Sequence, residues 1–436
     1  MRKRILASVL VLTMAASALT GCTRHSSSTR EYTDFEAKDI KFETNLDLTN
    51  DNITLTVWES KEGPDTFIKE AGKKFTELYP NIKIKYVNVE STDANSKIAL
   101  DGPAGTGADL FACAHNNIGV MAASSSIEPV PESEYDVIEK SCTASALQGA
   151  TLTESDGTST LYGYPVSVET YALFYNKDLI SKEEIPTTME DMVAYIEKYQ
   201  KDNGGEQAFL FDAGNAYYSV MFTSTPDIHL YGETGSDVTN TYMNSADSVK
   251  QMNDFVNLAK VINMNTGNID YKHNDSLFAA GTLPMDVSGA WNINVFEESG
   301  INFGITAIPS LTGSDQPPTN FMGVRYMFVS SYSEHKNEAA AFAEFLMTPE
   351  MQQLRCEITS TMPARDDVLE NVNDEKIKEY LEGLNEQIQY SYPMPNMASA
   401  SLFWSAFGSA YSNIWNDSST DVQKELDTAN KSATKN

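Results

Sequence analysis

The sequence TLTVWESKEGPDTFIKEAGKKFTELYPNIKIKYVNV at residues 54–89 decides the fold class. Residues 54–60 are rich in the β-branched and apolar side chains typical of a strand, and residues 82–89 alternate apolar and polar side chains as a second strand does. Between them, four apolar residues recur on one helical face: Phe67, Ala71, Phe75 and Leu78. A strand, a helix and a strand at this spacing form a βαβ unit, in which the strands are parallel. We therefore predict an α/β protein.

Length and composition indicate two folded lobes and an anionic surface. The chain has 436 residues, whereas a single hydrophobic core stops growing at about 250–300 residues. The 41% of hydrophobic residues is enough for genuine cores. The 31 Lys and Arg against 61 Asp and Glu give a net charge of −30, which opposes binding to nucleic-acid phosphates and to anionic lipid surfaces. We therefore expect no nucleic acid as a partner.

The first 22 residues, MRKRILASVLVLTMAASALTGC, have the pattern of a secretory signal. Three basic residues precede an apolar run that is too short and wrongly flanked for a stable transmembrane helix. The last four letters, LTGC, resemble a bacterial lipobox, which implies that residues 1–21 are removed and that Cys22 is lipidated. A diacylglyceryl group supplies the two acyl chains needed for stable anchoring. We expect the protein at the outer face of the cytoplasmic membrane.

Residues 22–50 are polar and lack apolar periodicity. They are predicted to form a flexible tether that reaches roughly 30 Å by random-coil scaling. The globular body is expected to begin near residue 51.

Motifs for metal binding and nucleophilic catalysis are missing from the sequence. Cys113, Cys142 and Cys356 show no C-x-x-C spacing, so buried thiols are favoured over a disulfide. The five histidines form no H-E-x-x-H, and there is no G-x-S-x-G. No metal or other cofactor is predicted. Glycoside hydrolysis needs only two carboxylates, so composition alone leaves a glycosidase open.

The pair Phe403-Trp404 opens a predicted helix over residues 399–415. At about 100° per residue, Phe403 falls on an apolar face that is predicted to be core. Trp404 falls on a second face, together with Tyr411 and Trp415. Helical phase alone favours a second core interface for this face over a ligand-binding surface.

Glu169 is the only charge in the apolar extended run YPVSVETYALFY. A buried carboxylate must be paired or hydrogen-bonded, so Glu169 forms a structural ion pair or binds a ligand. Trp291 follows a strand and a glycine in DVSGAWN, a position that suits either a cleft or the core. Asn215, Tyr217 and Tyr218 stand in a loop-like NAYYS segment, where packing is favoured over a ligand platform.

Eight short segments stand in an order and spacing that are more specific than any one of them. They are AGKKF (71–75), ADLFACAHNNIG (108–119), YGYPVSVETYALFYNKDL (162–179), PTTMED (186–191), AFLFDAGNAYY (208–218), SGAW (288–291), FMGV (321–324) and MPNM with FW (394–404). Together they resemble the extracellular solute-binding proteins of sugar ABC transporters, and within these the maltose- and maltodextrin-binding proteins. The resemblance covers nearly the whole body.

The resemblance implies an α/β fold of two lobes joined by three crossing segments, with the ligand in the cleft between the lobes. The crossings would lie near residues 168–171, 322–326 and 373–378. Lobe one would then comprise residues 51–167 and 326–373, and lobe two residues 168–325 and 374–436.

The resemblance also implies roles for individual residues. Trp291, Tyr217 and Trp404 would stack on sugar rings, and Glu169 would accept hydrogen bonds from sugar hydroxyls. Further members of the expected site are Tyr218, Glu62, Asn116, Asn117 and Asn215. The chain departs from the family pattern at Asn116, Asn117 and Asn215, where amides replace other side chains, and at three small residues: Cys113, Ser405 and Gly408. These small residues suggest a roomier cleft that suits oligosaccharides better than a disaccharide.

We therefore expect a monomeric, lipid-anchored receptor that closes over maltooligosaccharides and delivers them to an ABC permease, without enzymatic activity. The alternatives are the same fold with a different oligosaccharide, a secreted glycosidase and a purely structural cell-surface protein.

Overall fold

The structure is a computed structural model that describes residues 32–153 and 157–434. The predicted signal peptide and Cys22 lie outside the described residues. Within the described ranges, no helix combines the length and apolar character needed to cross a membrane.

The described residues contain one large mixed sheet and one small hairpin. The strands are β1 (Ile53–Glu59), β2 (Ile82–Asn88), β3 (Leu110–Ala114), β4 (Thr151–Thr153), β5 (Ser159–Leu161), β6 (Tyr164–Asn176), β7 (Phe209–Leu210), β8 (Met285–Gly289), β9 (Phe303–Thr306), β10 (Asn320–Val329) and β11 (Ser391–Pro393). The large sheet has the order β2-β1-β3-β10-β6-β8-β7, with β11 on β10 and β9 on β6, while β4 and β5 form the hairpin.

Helices cover both halves of the sheet. They are α1 (Pro64–Leu78), α2 (Ser91–Asp101), α3 (Ile118–Ala123), α4 (Tyr135–Ser141), α5 (Ala144–Ala150), α6 (Met189–Asp202), α7 (Ala216–Ser219), α8 (Ala246–Ile262), α9 (Tyr271–Ala279), α10 (Ile293–Ser299), α11 (Lys336–Phe345), α12 (Pro349–Thr359), α13 (Glu375–Ile388), α14 (Ser401–Asn416) and α15 (Val422–Ala433).

The βαβ unit is present as its sequence pattern predicts. β1 and β2 pair in parallel with Ile53 opposite Ile82, and α1 connects them. The buried face of α1 carries Phe67, Ala71 and Phe75. The prediction of an α/β fold is confirmed.

Two hydrophobic cores define the two lobes. The core of lobe one gathers side chains from β1, α1, β3, α11 and α12, and that of lobe two gathers side chains from β8, α6, α8 and α14. The long antiparallel strands β6 and β10 contribute to both cores: Val168 of β6 belongs to lobe one and Tyr171 to lobe two, while Val324 of β10 belongs to lobe one and Phe321 to lobe two. These strands carry the chain from one lobe to the other. The residue boundaries of the lobes given above stay predictions.

The predicted tether is wrong for residues 32–50, which pack on lobe one. The Phe42 ring lies 5.4 Å from that of Phe345 between ring centroids, and Ile40 is buried. The Thr33 amide donates to the Glu357 carboxylate at 2.7 Å. These contacts explain the error, because a segment without periodicity can still dock irregularly on helices contributed by distant sequence.

The three cysteines of the body lie in apolar surroundings. Cys113 and Cys356 are buried and Cys142 is half-buried. Burial raises the pKa of the Cys113 and Cys142 thiols to about 12, which disfavours the reactive thiolate.

Candidate ligand-binding site

A cleft of about 490 Å³ lies where β6 and β10 pass between the two cores. Its volume falls within the range of small-molecule sites. The lining residues are Ser91, Thr92, Ala114, Asn116, Glu169, Asn215, Tyr217, Tyr218, Tyr271, Trp291, Gly323, Val324, Arg325, Met394 and Trp404.

Lobe two supplies an aromatic wall. The Tyr217 ring lies 6.1 Å from Trp291 and 6.0 Å from Phe321, and Phe321 lies 5.8 Å from Trp404, all measured between ring centroids. Tyr217, Trp291 and Trp404 are only partly buried, whereas Phe321 beneath them is fully buried. Three ring surfaces therefore border the cleft on a rigid aromatic support.

Local backbone features place two of these rings. Trp291 follows β8, and a Cβ atom on Gly289 would come within 2.2 Å of the Trp291 ring, so only glycine leaves room for that ring position. Asn215 caps α7, because its side-chain oxygen accepts a hydrogen bond from the Tyr217 amide at 3.0 Å. Tyr171 donates from its hydroxyl to the Tyr218 carbonyl oxygen at 3.1 Å.

The aromatic pair at the start of α14 divides as the helical phase predicts. Phe403 is fully buried in the core of lobe two. Trp404 is half-buried and lines the cleft. Tyr411 and Trp415, which share its helical face, are buried deeper in the core. The second face is thus core along most of its length and open to the cleft at Trp404.

Lobe one supplies an ionic wall, together with the parts of β6 and β10 around Val168 and Val324 that belong to its core. The Arg325 guanidinium lies 3.4 Å from the Glu59 carboxylate and 3.7 Å from the Glu169 carboxylate, and it donates to the Ser60 hydroxyl at 3.0 Å. Glu59 is fully buried and also meets Arg355 at 3.5 Å. Glu169 is therefore in an ion pair, yet its side chain keeps 17% exposure toward the cleft. An ion pair and a ligand-binding role for Glu169 are therefore compatible.

The electrostatics of the site follow from this network. Burial acts to lower the pKa of Arg325, but the Glu59 and Glu169 carboxylates outweigh it and raise the pKa above its ordinary value. Arg325 thus stays cationic beside the cleft. Burial also raises the pKa of Tyr217 far above its usual range, so its hydroxyl stays neutral and can both donate and accept hydrogen bonds.

The cleft brings together seven of the nine predicted site residues: Asn116, Glu169, Asn215, Tyr217, Tyr218, Trp291 and Trp404. Glu62 and Asn117 are not among the residues that line it. The Glu62 side chain is 54% exposed near Lys61, and the Asn117 amide group bonds to Ala114 and Asn116 of its own turn.

Sequence reasoning missed several lining residues, above all Arg325 and Tyr271. Arg325 is the only charge in the apolar run FMGVRYMFVS, which is the signal that drew attention to Glu169. Tyr271 has no comparable signal, because it stands among mostly polar residues in NIDYKHND. In the structure its side chain is 38% exposed.

Two α/β lobes with a ligand-sized cleft between them define a two-lobed binding protein. A family model described as bacterial extracellular solute-binding protein matches residues 70–382. The chain belongs to this family. The family and the relatives below are described as binding proteins, one of them as the solute-binding lipoprotein of an ABC transporter, and none is described as an enzyme.

Individual relatives agree with this assignment. The chain is 29% identical to the galactooligosaccharide-binding protein of Bacillus subtilis, covering 87% of this chain and 88% of that protein. It is 23% identical to a maltooligosaccharide ABC transporter solute-binding lipoprotein of Streptococcus pneumoniae, covering 80% and 81%. The Thermus thermophilus maltotriose-binding protein bound with maltotriose superimposes with a TM-score of 0.75 at 24% identity, covering 87% and 99%, which establishes the shared fold.

Proposed function

We propose that this protein captures maltooligosaccharides outside the cell and delivers them to the permease of an ABC transporter. The observation that carries the proposal is the cleft itself, which is lined both by the rings of Tyr217, Trp291 and Trp404 and by the Glu169–Arg325 ion pair. Sugars have apolar ring faces and polar edges, so this combination matches both parts of the ligand.

The two walls divide the work of binding. The three aromatic rings would stack on the apolar faces of glucose units and bury area at a low cost in side-chain entropy. Glu169 would accept hydrogen bonds from hydroxyls, and the amides of Asn116 and Asn215 can both donate and accept them. Tyr218, which is buried, would support Tyr217 from behind.

Closure of the lobes follows from a shared ligand. A sugar that contacts the aromatic wall and the ionic wall at once binds the closed form better than the open form, and it therefore shifts the population toward closure. β6 and β10 are the connections around which the lobes would move.

A second cavity supports a ligand longer than a disaccharide. It has a volume of about 410 Å³, shares Asn215 and Trp404 with the cleft and continues over Gly214 and Gly267. A chain stacked on Trp404 could extend into this cavity. Ser405 and Gly408 of α14 line neither cavity, and Gly408 instead lies close to the backbone of Gly214, where a Cβ atom would come within 3.3 Å of the Gly214 carbonyl oxygen.

A different oligosaccharide is the second candidate cargo. The relative with 29% identity is named a galactooligosaccharide-binding protein, and the aromatic rings of the cleft would stack on galactose as well as on glucose units.

The cellular setting belongs to the same proposal. Cys22 would carry the lipid anchor that holds a monomeric receptor at the outer face of the cytoplasmic membrane, and a relative of the same family is named a lipoprotein. The protein would release its ligand unchanged, without enzymatic activity. Conversion of a maltodextrin to shorter sugars by the purified protein would contradict the proposed absence of enzymatic activity.

Calorimetric titration of the purified protein tests the cargo directly. We expect saturable binding of maltotriose and longer maltodextrins, with galactooligosaccharides of matched length as the competing series and sucrose as a negative control. Tighter binding of galactooligosaccharides would favour the second candidate. The absence of heat and of any thermal shift with both series would exclude the proposal, because a ligand specific for the folded state must raise the melting temperature.

A further inference from the structure

A buried pair of carboxyl groups lies behind the segment that carries Trp291. Asp286 on β8 is fully buried, and neither of its carboxyl oxygens has a hydrogen-bond partner among the described residues. Asp275 on α9 accepts hydrogen bonds from the Ser288 hydroxyl at 2.8 Å and from the Asn292 amide at 2.7 Å. The two aspartates thus have very different surroundings, although both lie beside Ser288: Asp286 is two residues away on the same strand, and Asp275 accepts the hydrogen bond of the Ser288 hydroxyl.

The fold connects this pair to the aromatic wall. Asp286 and Ser288 are two residues apart on β8, so their side chains point to the same face of the strand, against which α9 packs. Asn292 directly follows Trp291, and its side-chain amide donates to Ser288 at 2.9 Å as well as to Asp275. Asp275 therefore ties the end of β8 to the turn that presents Trp291.

The charges around the pair favour the presence of a proton. Asp270, which caps α9, acts on Asp275, and Asp275 acts on Asp286, while both members of the pair act on the Tyr218 hydroxyl. None of these groups is cationic. No basic residue is among the groups that shift the pKa of Asp275 or Asp286. An isolated ionised carboxylate without a donor would be very costly at this depth.

Burial first and the Asp275 carboxylate second raise the pKa of Asp286 well above its ordinary value. Burial also raises the pKa of Asp275, although hydrogen bonds to its oxygens oppose the effect. Asp275, which accepts two hydrogen bonds, is therefore the more acidic of the two, and Asp286, which accepts none, keeps its proton to higher pH and can donate it to Asp275.

We propose that Asp275 and Asp286 share one proton, and that this protonated pair is a positioning device that holds Trp291 in place for the ligand. The inference rests on the proposed function of the cleft for its effect on binding, while the shared proton itself does not. Loss of the proton would place two negative charges side by side, and their repulsion would move Asp275 away from β8, weaken its hydrogen bonds to Ser288 and Asn292 and release the turn that carries Trp291.

The direction of the pH dependence follows from the raised pKa. A carboxyl group that holds its proton more tightly in the folded state stabilises that state at low pH. The stabilisation declines as pH rises above the pKa of an unfolded aspartate, and it is fully lost once pH passes the folded-state pKa of Asp286. Ligand affinity is expected to fall over the upper part of this range.

The first variant is Asp286→Asn, whose amide can donate to Asp275 as the protonated carboxyl does but cannot ionise. Infrared difference spectra of wild type minus D286N at neutral pH should contain the carbonyl band of a protonated carboxyl group. The difference is needed because Glu344, whose pKa burial raises to about 8, contributes a similar band. A difference spectrum without this band would overturn the shared proton.

The second step compares binding across pH. Wild-type affinity for the sugar identified by calorimetry should weaken as the infrared band disappears on titration toward alkaline pH, whereas the affinity of D286N should stay level. An affinity that stays level while the band is lost would overturn the link between the pair and Trp291.

The third step removes the hydrogen bonds to Asn292 and Ser288. Asp275→Ala should weaken sugar binding by about tenfold or more, as expected for lost hydrogen bonds to a charged group. The matched control is Asp254→Ala, which removes a buried aspartate of lobe two that accepts two hydrogen bonds from Thr312, both at 2.7 Å, away from the cleft lining. The control should lower the melting temperature without this loss of affinity. Unchanged affinity in folded D275A would refute the positioning role.

The failure of this inference is distinguishable from that of the proposed function. If wild type bound no sugar at all, the proposed function would fail, while the infrared spectra would still decide whether the proton is shared.

Discussion

The two walls of the cleft differ in what holds them together. The wall from lobe two consists of neutral aromatic rings packed on one another, with Phe321 as the shared support. The wall from lobe one depends on the pairing of Arg325 with Glu59 and Glu169. An aromatic wall can lose one ring and keep the others in place, whereas an ionic network that loses its central charge leaves buried charges without a partner.

The aromatic wall and the ionic wall are expected to contribute differently to the affinity and to the selectivity of sugar binding. Stacking area supplies affinity for any sugar with a suitable apolar face, because dispersion and burial depend little on the pattern of hydroxyls. Charged groups held in fixed positions distinguish one hydroxyl arrangement from another, because an unpaired hydrogen-bonding group in a closed site is costly. For the proposed sugar ligand, we therefore expect the strength of binding to come mainly from lobe two and the selectivity mainly from lobe one.

The largest effect is expected from removing the centre of the ionic wall. Arg325→Ala leaves Glu59 and Glu169 with less compensation, and breaking a buried pair in this way costs about 3–5 kcal/mol of the free energy of unfolding. Urea denaturation of the ligand-free protein measures the loss. The matched control is Lys336→Ala, which breaks the exposed ion pair with Glu128 at 2.7 Å and should cost less than about 1 kcal/mol. Equal losses in the two variants would show that the network is no more than a surface ion pair.

An intermediate effect is expected on the aromatic wall. Trp291→Ala and Trp404→Ala should each weaken sugar binding by about 1–3 kcal/mol through lost buried aromatic area, with a smaller change in stability because both rings are only partly buried. Calorimetric titration provides the affinities. Trp415→Ala is the control, since this ring packs in the core of the same lobe against Phe211 at 5.3 Å between centroids. It should lower stability more than affinity, and unchanged affinity in both cleft variants would exclude stacking.

The sequence predicted the elements better than the contacts between them. The βαβ unit and the buried face of α1 follow from periodicity, which is a local property. The pairing of Glu169 with Arg325 depends on the register of β6 against β10, where Arg325 lies opposite Ser167. A shift by one residue would turn either side chain to the other face, and no local pattern fixes that register.

The position of Trp404 and the docking of residues 32–50 also depend on contacts between distant parts of the chain. Helical phase separated Phe403 from Trp404 correctly, but it could not show that the ring of Trp404 borders a cleft, because phase does not reveal what lies against a face. The docking of residues 32–50 was missed because Phe42 packs against α11, about 300 residues further along the chain. Contacts at such separation are set by the assembled fold.

The smallest effect on sugar affinity is expected at Glu62 and Asn117, the two predicted site residues that do not line the cleft. Glu62→Gln should change sugar affinity by less than about 0.5 kcal/mol, as is usual for substitutions away from a defined contact. Asn117→Ala removes the hydrogen bond to the lining residue Asn116 and should weaken binding by less than about 1 kcal/mol. Asn116→Ala, one position away and within the lining, is the matched variant and should weaken binding more than Asn117→Ala does. The Glu62 carbonyl oxygen accepts a hydrogen bond from Asn294 of α10 at 3.1 Å, a contact that the change to glutamine keeps because it involves only the backbone of residue 62. A clear loss of affinity in E62Q would therefore mean that the Glu62 carboxylate reaches the ligand when the lobes close. That result would extend the ionic wall beyond Glu169 and Arg325 and would strengthen the assignment of selectivity to lobe one.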